Sequence, residues 1–273
     1  MADLSPPDAQ LPHPGEALAA LAADRARRPI LLALDFDGTL APIVDHPLDA
    51  RPLPESVTAI EAIATVPHMH LALVSGRGLE ELSQVTGPVP EGTWLVGSHG
   101  AEAGRIHEGR YVVEPFELDE HARAVQDELV ASAELIGARH EAVIVQRKPT
   151  TVLVHTKMAS AEVEAAATAE AVALGESRGL KTVVGKHIVE IAVHPAHKGD
   201  GVDLLRQATR ASAVVYIGDD TTDEDALARL VDGDVGIKVG PGQTHAGYRV
   251  ATPADVAAVL ADLAARLGPP DRD

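Results

Sequence analysis

Apolar positions follow two different rhythms along the chain. Continuous apolar runs of strand length occur at Ile30-Leu-Leu-Ala-Leu34, Leu71-Ala-Leu-Val74, Trp94-Leu-Val96, Val214-Val-Tyr-Ile217 and Val235-Gly-Ile-Lys-Val239. Strands without polar alternation are covered on both faces, as in a parallel sheet flanked by helices. Between the first two runs, Val57, Ile60 and Ile63 keep helical spacing within Pro54 to Val66, so this stretch predicts a βαβ unit. Helices are also predicted from Lys198 to Gln207, from Asp223 onward and from Ala254 to Leu267, with a short strand at Tyr248-Arg-Val250.

The rhythm changes after Glu114. Helical stretches at 117–136 and 159–178 alternate there with strands at 142–147, 151–156, 181–184 and 188–193. Val152-Leu-Val-His-Thr-Lys157 and His187-Ile-Val-Glu-Ile-Ala-Val193 mix apolar with polar residues, which marks an antiparallel sheet open on one face. The expected organisation is an unstructured tail over 1–15, an α/β core built from 16–114 and 194–273, and an inserted α+β domain over 115–193. Hinges are expected near Glu114-Pro115 and His194-Pro195.

Composition narrows the function. The chain has 273 residues, 45% of them apolar, enough to bury a sizeable core. Aromatics make up 2% and the formal charge is -18, which argues against nucleic-acid binding because phosphate backbones need cationic surfaces and stacking platforms. The absence of cysteine excludes disulfides, thiolate nucleophiles and sulfur-based zinc sites. The first residues lack the cationic start and apolar run of a secretory leader. No segment holds the ~20 apolar residues of a membrane span. A cytoplasmic monomer without a nucleic-acid or membrane partner is expected. If the substrate is an anion, so acidic a chain needs a local cation.

Ligands of open parallel sheets collect outside the carboxyl ends of the strands. Reactive residues stand at such points: Asp35 with Asp37, Ser75 before Gly76, Lys198 opening a helix, and Asp219, Asp220 and Asp223. Asp35 and Asp37 leave the same side of a strand end while Phe36 points into packing, and Gly38 permits the sharp turn that follows. Two carboxylates so close stay ionised together only beside a cation. The Ser75 hydroxyl and nearby amides suit a phosphoryl oxygen. Lys198 at a helix start suits an anion shared with the helix amides, or alternatively neutralises the acidic cluster. Thr221-Thr-Asp-Glu-Asp225 also suits a helix start, to which Glu224 and Asp225 are assigned. Asp220 is left between a place around a metal and a structural one.

Asp35-Phe-Asp-Gly-Thr39, Ser75-Gly-Arg77, Lys198-Gly199 and Gly218-Asp-Asp-Thr-Thr-Asp223 resemble, in this order, the four motifs of the haloacid dehalogenase superfamily. That resemblance implies a Rossmannoid core, and the insertion falls where the superfamily carries its larger, α/β type of cap. Gly97-Ser-His-Gly-Ala-Glu102, Arg147-Lys148 before Val152-Leu-Val-His155, Gly185-Lys186 with Glu190, and Gly218 to Asp225 are similar to segments of the trehalose-6-phosphate phosphatases. The chain departs from that family where Thr156-Lys157 follows His155 and where Gln146-Arg147 precedes Lys148.

The resemblance implies a magnesium-dependent phosphatase that converts trehalose 6-phosphate to trehalose and phosphate, the last step of trehalose biosynthesis. Asp35 would be the nucleophile that forms an aspartyl phosphate, Asp37 the acid and base, and Ser75 and Lys198 the phosphoryl contacts. Magnesium would be held by the Asp35 carboxylate, the Asp37 carbonyl and Asp219, with Asp220 and Asp223 behind them. Gly76, Arg77, His99 and Gly100 would line the substrate, and Arg147, Lys148, Lys186 and Glu190 would hold the sugar. Lys186 and Glu190, four apart in a strand, are expected on one face, with a surface ion pair as the alternative reading. The other functions left open are another sugar-phosphate phosphatase acting on sucrose, glucosylglycerate or hexose phosphates, a phosphomannomutase-like phosphotransferase, and a catalytically silent sugar-phosphate binding protein.

Overall fold

The computed structural model describes residues 10–114, 120–148, 150–193 and 197–268. The chain divides into two compact units, Met1–Pro115 with His197–Asp273, and Phe116–Ala196. Pro115, His194 and Pro195 of the expected hinges, and residues 117–119 of the first expected cap helix, lie outside the described residues.

In the first unit, β1 (Ile30–Leu34) is buried along its whole length because its two faces meet different helix layers. Ile30, Leu32 and Leu34 pack in one cluster with Ile60 and Ile63 of α2 (Pro54–Ala64) and Leu260 of α8 (Pro253–Leu267). Leu31 and Ala33 pack with Val202 and Leu205 of α6 (Lys198–Thr209) on the other side. This is why the apolar runs do not alternate. The helices start where the chain supplies caps: Pro54 and Pro253 sit in first turns, and Thr252 and Asp255 form a capping box at α8.

The sheet also contains β2 (Met69–Val74), β3 (Trp94–Gly97), β10 (Ala213–Gly218), β11 (Val235–Val239) and β12 (Tyr248–Val250). Among the described residues the strand order is β12-β11-β10-β1-β2-β3, all parallel, continued by an antiparallel hairpin of β4 (Glu102–His107) and β5 (Arg110–Glu114). The chain leaves β1 toward β2 and β3, then returns to fill the other side with β10, β11 and β12. The order therefore reverses between β1 and β10, the point at which an open α/β sheet leaves a crevice for ligand.

Part of the expected tail is ordered. α1 (Gly15–Ala23) begins at Gly15, and the Pro12 carbonyl accepts a hydrogen bond from the Arg249 amide of β12; residues 1–9 lie outside the described residues. α3 (Leu79–Thr86) and the β4–β5 hairpin add elements that the apolar runs do not signal. Among the described residues no helix is long and apolar enough to cross a membrane.

The second unit carries α4 (Glu120–Arg139) and α5 (Ala161–Glu176) on an antiparallel sheet ordered β6-β7-β9-β8. These strands are β6 (Ile144–Arg147), β7 (Thr151–His155), β8 (Lys181–Gly185) and β9 (Ile188–Ala192). Val152, Val154, Val189 and Ile191 pack with Leu129, Ala133 and Ala167 of the helices, so the alternate positions form an open face. Lys186 is not in a strand: Gly185 pairs with Ile188, which leaves Lys186 and His187 as a two-residue turn. The turn interrupts the period of two, so the expected shared face of Lys186 and Glu190 does not follow.

Candidate active site

At the crevice, β1 ends in a tight loop. Leu40 and Ala41 donate backbone bonds to the Phe36 carbonyl, Gly38 donates to the Ala41 carbonyl, and Phe36 is fully buried. Gly38 has φ +77°, and a Cβ there would lie 2.1 Å from Asp219 Oδ2, so only glycine lets the Asp219 carboxylate rest on this loop. Asp219 follows β10, the strand paired with β1. Carboxylate oxygens of Asp35, Asp219 and Asp223 lie within 4.8 Å of one another. The buried Thr39 hydroxyl lies 3.4 Å from Asp35 Oδ2 and 3.5 Å from Asp219 Oδ1.

Lys198, the first residue of α6, ties this cluster together. Its ammonium is buried and donates to Asp35 Oδ1 and Asp223 Oδ1, both at 2.7 Å. Burial favours the neutral amine, but the two carboxylates outweigh it and raise the pKa, so Lys198 stays charged. Asp223 has little left for a metal. Its Oδ1 also accepts the Tyr216 hydroxyl at 2.6 Å, and its Oδ2 accepts the amides of Asp219 at 2.9 Å and Asp220 at 3.0 Å.

Asp220 Oδ1 accepts from the Thr222 amide and hydroxyl, both at 2.7 Å, and from the Asp223 amide at 3.1 Å. Asp220 therefore shapes the start of α7 (Asp223–Leu227), while it also lines the pocket. Burial pushes its pKa up, yet Lys198 and the Thr222 bonds win and lower it. Asp35 and Asp219 go the other way: burial raises both, and raises Asp35 well above the ordinary value despite Lys198. A buried and a half-buried carboxylate that resist ionisation side by side, with Gly38 letting Asp219 rest on the loop, are a donor set suited to a hard divalent cation.

Asp37 shares the pocket with Asp35, Ser75, Gly76, Arg77, Glu81, His99 and Lys198. Its carboxylate is not part of the three-carboxylate cluster. It accepts two bonds from Arg77, from Nε at 2.6 Å and Nη2 at 2.7 Å, while Arg77 also pairs with Glu81 of α3. The charge expected to need a shared cation is balanced locally by arginine. The buried Ser75 hydroxyl accepts from the Arg77 amide at 3.2 Å, a bond that leaves its own proton to donate.

His99 and Gly100 belong to a strained turn after β3, where Ser98, His99 and Gly100 all have positive φ. The turn is held by Ser98 N to Arg77 O at 2.7 Å and His99 N to Ser75 O at 3.1 Å. A Cβ on Gly76 would lie 2.6 Å from the His99 ring, and one on Gly100 would lie 2.6 Å from the His197 carbonyl, next to Lys198. Glu102, which ends this stretch, accepts the Leu79 amide at 3.0 Å and so caps α3.

A model of the family described as trehalose-phosphatase matches residues 33–253. The chain belongs to the trehalose-phosphatase family. It is 31% identical over 250 residues to a trehalose-phosphate phosphatase of Mycobacterium ulcerans, covering 85% of this chain and 61% of that protein. The chain thus spans about three-fifths of the length of that relative. Its fold is similar to that of an Aspergillus fumigatus trehalose-6-phosphate phosphatase, with a TM-score of 0.64 at 24% identity, covering 93% of this chain and 99% of that one. A trehalose-6-phosphate phosphatase related protein gives a TM-score of 0.53 at 26% identity, covering 86% and 97%.

The residues that resemble the sugar-binding segments of trehalose-phosphatases are not gathered at one place in the second unit. Glu190 pairs across β9 with Leu153 and Val183 and is exposed on the open face. Arg147 pairs with Val152, a residue of the helix-covered core, and its guanidinium donates to Asp127 of α4 at 2.7 Å. The two lie on opposite faces. Lys148 sits at the β6–β7 turn, where its carbonyl accepts from Gln126 at 2.8 Å, and Lys186 sits at the opposite end of the sheet.

Thr39 belongs to the first motif without a role assigned to it there, and two polar residues of the trehalose-phosphatase core carry no motif signal: Tyr216 and Lys238. Lys238 is buried in β11, and its ammonium donates to the carbonyls of Asp219 and Asp220. A different signal existed for the latter two: a tyrosine and a lysine inside doubly covered apolar runs need polar partners.

Proposed function

We propose that this chain is a magnesium-dependent phosphatase that hydrolyses trehalose 6-phosphate to trehalose and phosphate. The observation that carries the reading is the convergence of the Asp35, Asp219 and Asp223 carboxylates with the Lys198 ammonium at the strand-order reversal of a trehalose-phosphatase chain. Asp35 attacks phosphorus, and the bond from phosphorus to the sugar C6 oxygen breaks. Asp37, which takes up a proton from solvent as substrate draws it away from Arg77, gives that proton to the oxygen. Water then attacks the aspartyl phosphate with Asp37 taking its proton, which frees phosphate and restores both carboxyl groups.

Lys198 keeps positive charge beside the nucleophile throughout, and the Ser75 hydroxyl donates to a phosphoryl oxygen. Arg77 holds the Asp37 carboxylate at the pocket wall until substrate arrives. Asp35 and Asp219 would hold magnesium, which when bound would supply further positive charge against the phosphoryl oxygens. The second unit recognises the sugar through the open face of its sheet.

Phosphate release across trehalose, sucrose, glucose and mannose 6-phosphates and a phosphoglycerate tests the reading. Trehalose 6-phosphate is expected to give the highest kcat/KM, and EDTA to stop turnover until magnesium is returned in excess. Faster release from a monosaccharide phosphate would move the chain to a broader sugar phosphatase. Phosphoryl transfer between sugar positions without phosphate release would make it a mutase. Tight binding without turnover would leave a silent binding protein.

A further inference from the structure

Asp219 and Asp220 form the turn that carries a cluster carboxylate, and every polar main-chain atom of these two residues is gripped by a buried side chain. Their amides are taken by Asp223 Oδ2, at 2.9 Å and 3.0 Å. Their carbonyls are taken by Lys238, which reaches Asp219 O and, at 3.3 Å, Asp220 O. Lys238 lies directly across from Gly218 in the β10–β11 register, so its side chain runs past the end of β10 to the turn.

The ammonium donates to the two carbonyls, and Glu224 Oε1 stands 3.6 Å away as an ion-pair partner, too far for a hydrogen bond. Glu224 is in turn fixed by the His245 amide, which donates to its Oε2 at 2.8 Å. A lysine kept only as a counterion would sit nearest the carboxylate. This one sits nearest the main chain of the turn. An ammonium inside an apolar strand is unfavourable without such partners, which makes its placement a specific requirement.

We propose that Lys238, supported by Glu224, is a positioning residue for the reaction: it fixes the Asp219–Asp220 peptides so that the Asp219 carboxylate faces Asp35 across a bound divalent cation. The proposal rests on the phosphatase reading of this site. Lys238 touches neither the carboxylates of Asp35 and Asp219 nor, on this reading, the substrate, so its effect passes through the turn.

The test is magnesium binding by calorimetry on the full chain, free of sugar phosphate, alongside steady-state phosphate release. Lys238→Met is expected to weaken magnesium binding by about ten- to a hundredfold, as loss of a group that orients a metal ligand does. The half-saturating magnesium for turnover should rise in parallel, while the KM for trehalose 6-phosphate at saturating magnesium stays within about twofold. The chain has no native cysteine, so Lys238→Cys can be alkylated with bromoethylamine in the unfolded state and refolded. The aminoethyl group should restore magnesium affinity, with wild type taken through the same cycle as the reference.

If Lys238→Met does not fold, Glu224→Gln carries the test, with a smaller loss in the same direction expected. Folded Lys238→Met with wild-type magnesium affinity overturns the proposal, as does a lowered melting temperature with the magnesium affinity of the folded protein unchanged. Aminoethylation that restores folding but not affinity also overturns it. A wild-type chain that binds no magnesium overturns the underlying reading of the site, a result separable from the others.

Discussion

Asp223 is the hub of the polar centre although it sits behind the reacting positions. One oxygen takes Lys198 and Tyr216, and the other takes the two amides of the Asp219–Asp220 turn. Burial and the neighbouring carboxylates push the Tyr216 phenol well up, so it remains a donor. Tyr216→Phe removes one bond to a charged acceptor in a dry site, and a loss of about 1–3 kcal/mol in unfolding free energy is expected by denaturant titration. Turnover should fall on the order of tenfold through the displaced Lys198 and turn, with substrate KM little changed. The motif residues were legible in sequence because packing alone seldom sets carboxylates two apart at the end of an apolar strand. Tyr216 was not, since in an apolar run its ring reads as core and only its hydroxyl reveals the contact.

Asp35 gives a second residue-scale prediction, with opposite effects on activity and stability. If Asp35 is the nucleophile, as proposed, Asp35→Asn should cut phosphate release by at least about a thousandfold. Its folded pKa is raised well above the ordinary 3.8, mainly by burial. A raised folded pKa means that any stability linked to the protonated form is present at low pH and lost as pH rises through the folded value. Without metal, wild type should therefore lose stability relative to Asp35→Asn as pH rises from about 4 toward the raised folded value. Melting temperatures of both proteins in EDTA across that window check this. A difference that does not change with pH would contradict the sign.

Among the elements, the central strands were readable because coverage on both faces leaves no polar position: β1 is wholly apolar and buried. The β4–β5 hairpin was not readable because Glu102, Arg105, His107, Arg110 and Glu114 interrupt every apolar run, as suits a sheet edge exposed to water. Yet this hairpin follows the turn that carries His99 and Gly100, and it anchors Glu102 on α3. Gly100 is the point at which this stretch meets the start of α6. With φ +107° and a prospective Cβ 2.6 Å from the His197 carbonyl, Gly100→Ala must strain the turn or push the helix start that bears Lys198. The expected cost is about 1–3 kcal/mol by denaturant titration, with a fall in kcat larger than any rise in KM.

Across the whole molecule, the proposed function requires an acidic chain with a charge of -18 to admit an anionic substrate. On that reading positive charge at the crevice, from Lys198, Arg77 and a bound cation, would serve the phosphate, and sugar selectivity would come from elsewhere. In the second unit, α4 and α5 occupy one face of the sheet, so the proposed sugar contact is assigned to the open face. Glu190 stands there, with the hydrogen-bonded pair His155 and Gln146 on neighbouring strands, 3.0 Å apart. Arg147 points to the helix side and is engaged with Asp127. Motif similarity treats these positions alike, because sequence spacing does not tell which strand pairs with which, and hence which face each residue takes. The physical distinction predicts different kinetics. Glu190→Gln should raise the KM for trehalose 6-phosphate by about tenfold or more, the loss of a charged acceptor for sugar hydroxyls, and leave a small aryl phosphate unaffected. Arg147→Ala should change neither by more than about twofold, since its exposed pair with Asp127 contributes little. Steady-state kinetics on both substrates decides the matter: equal effects of the two substitutions on KM would mean that the sugar does not read the open face.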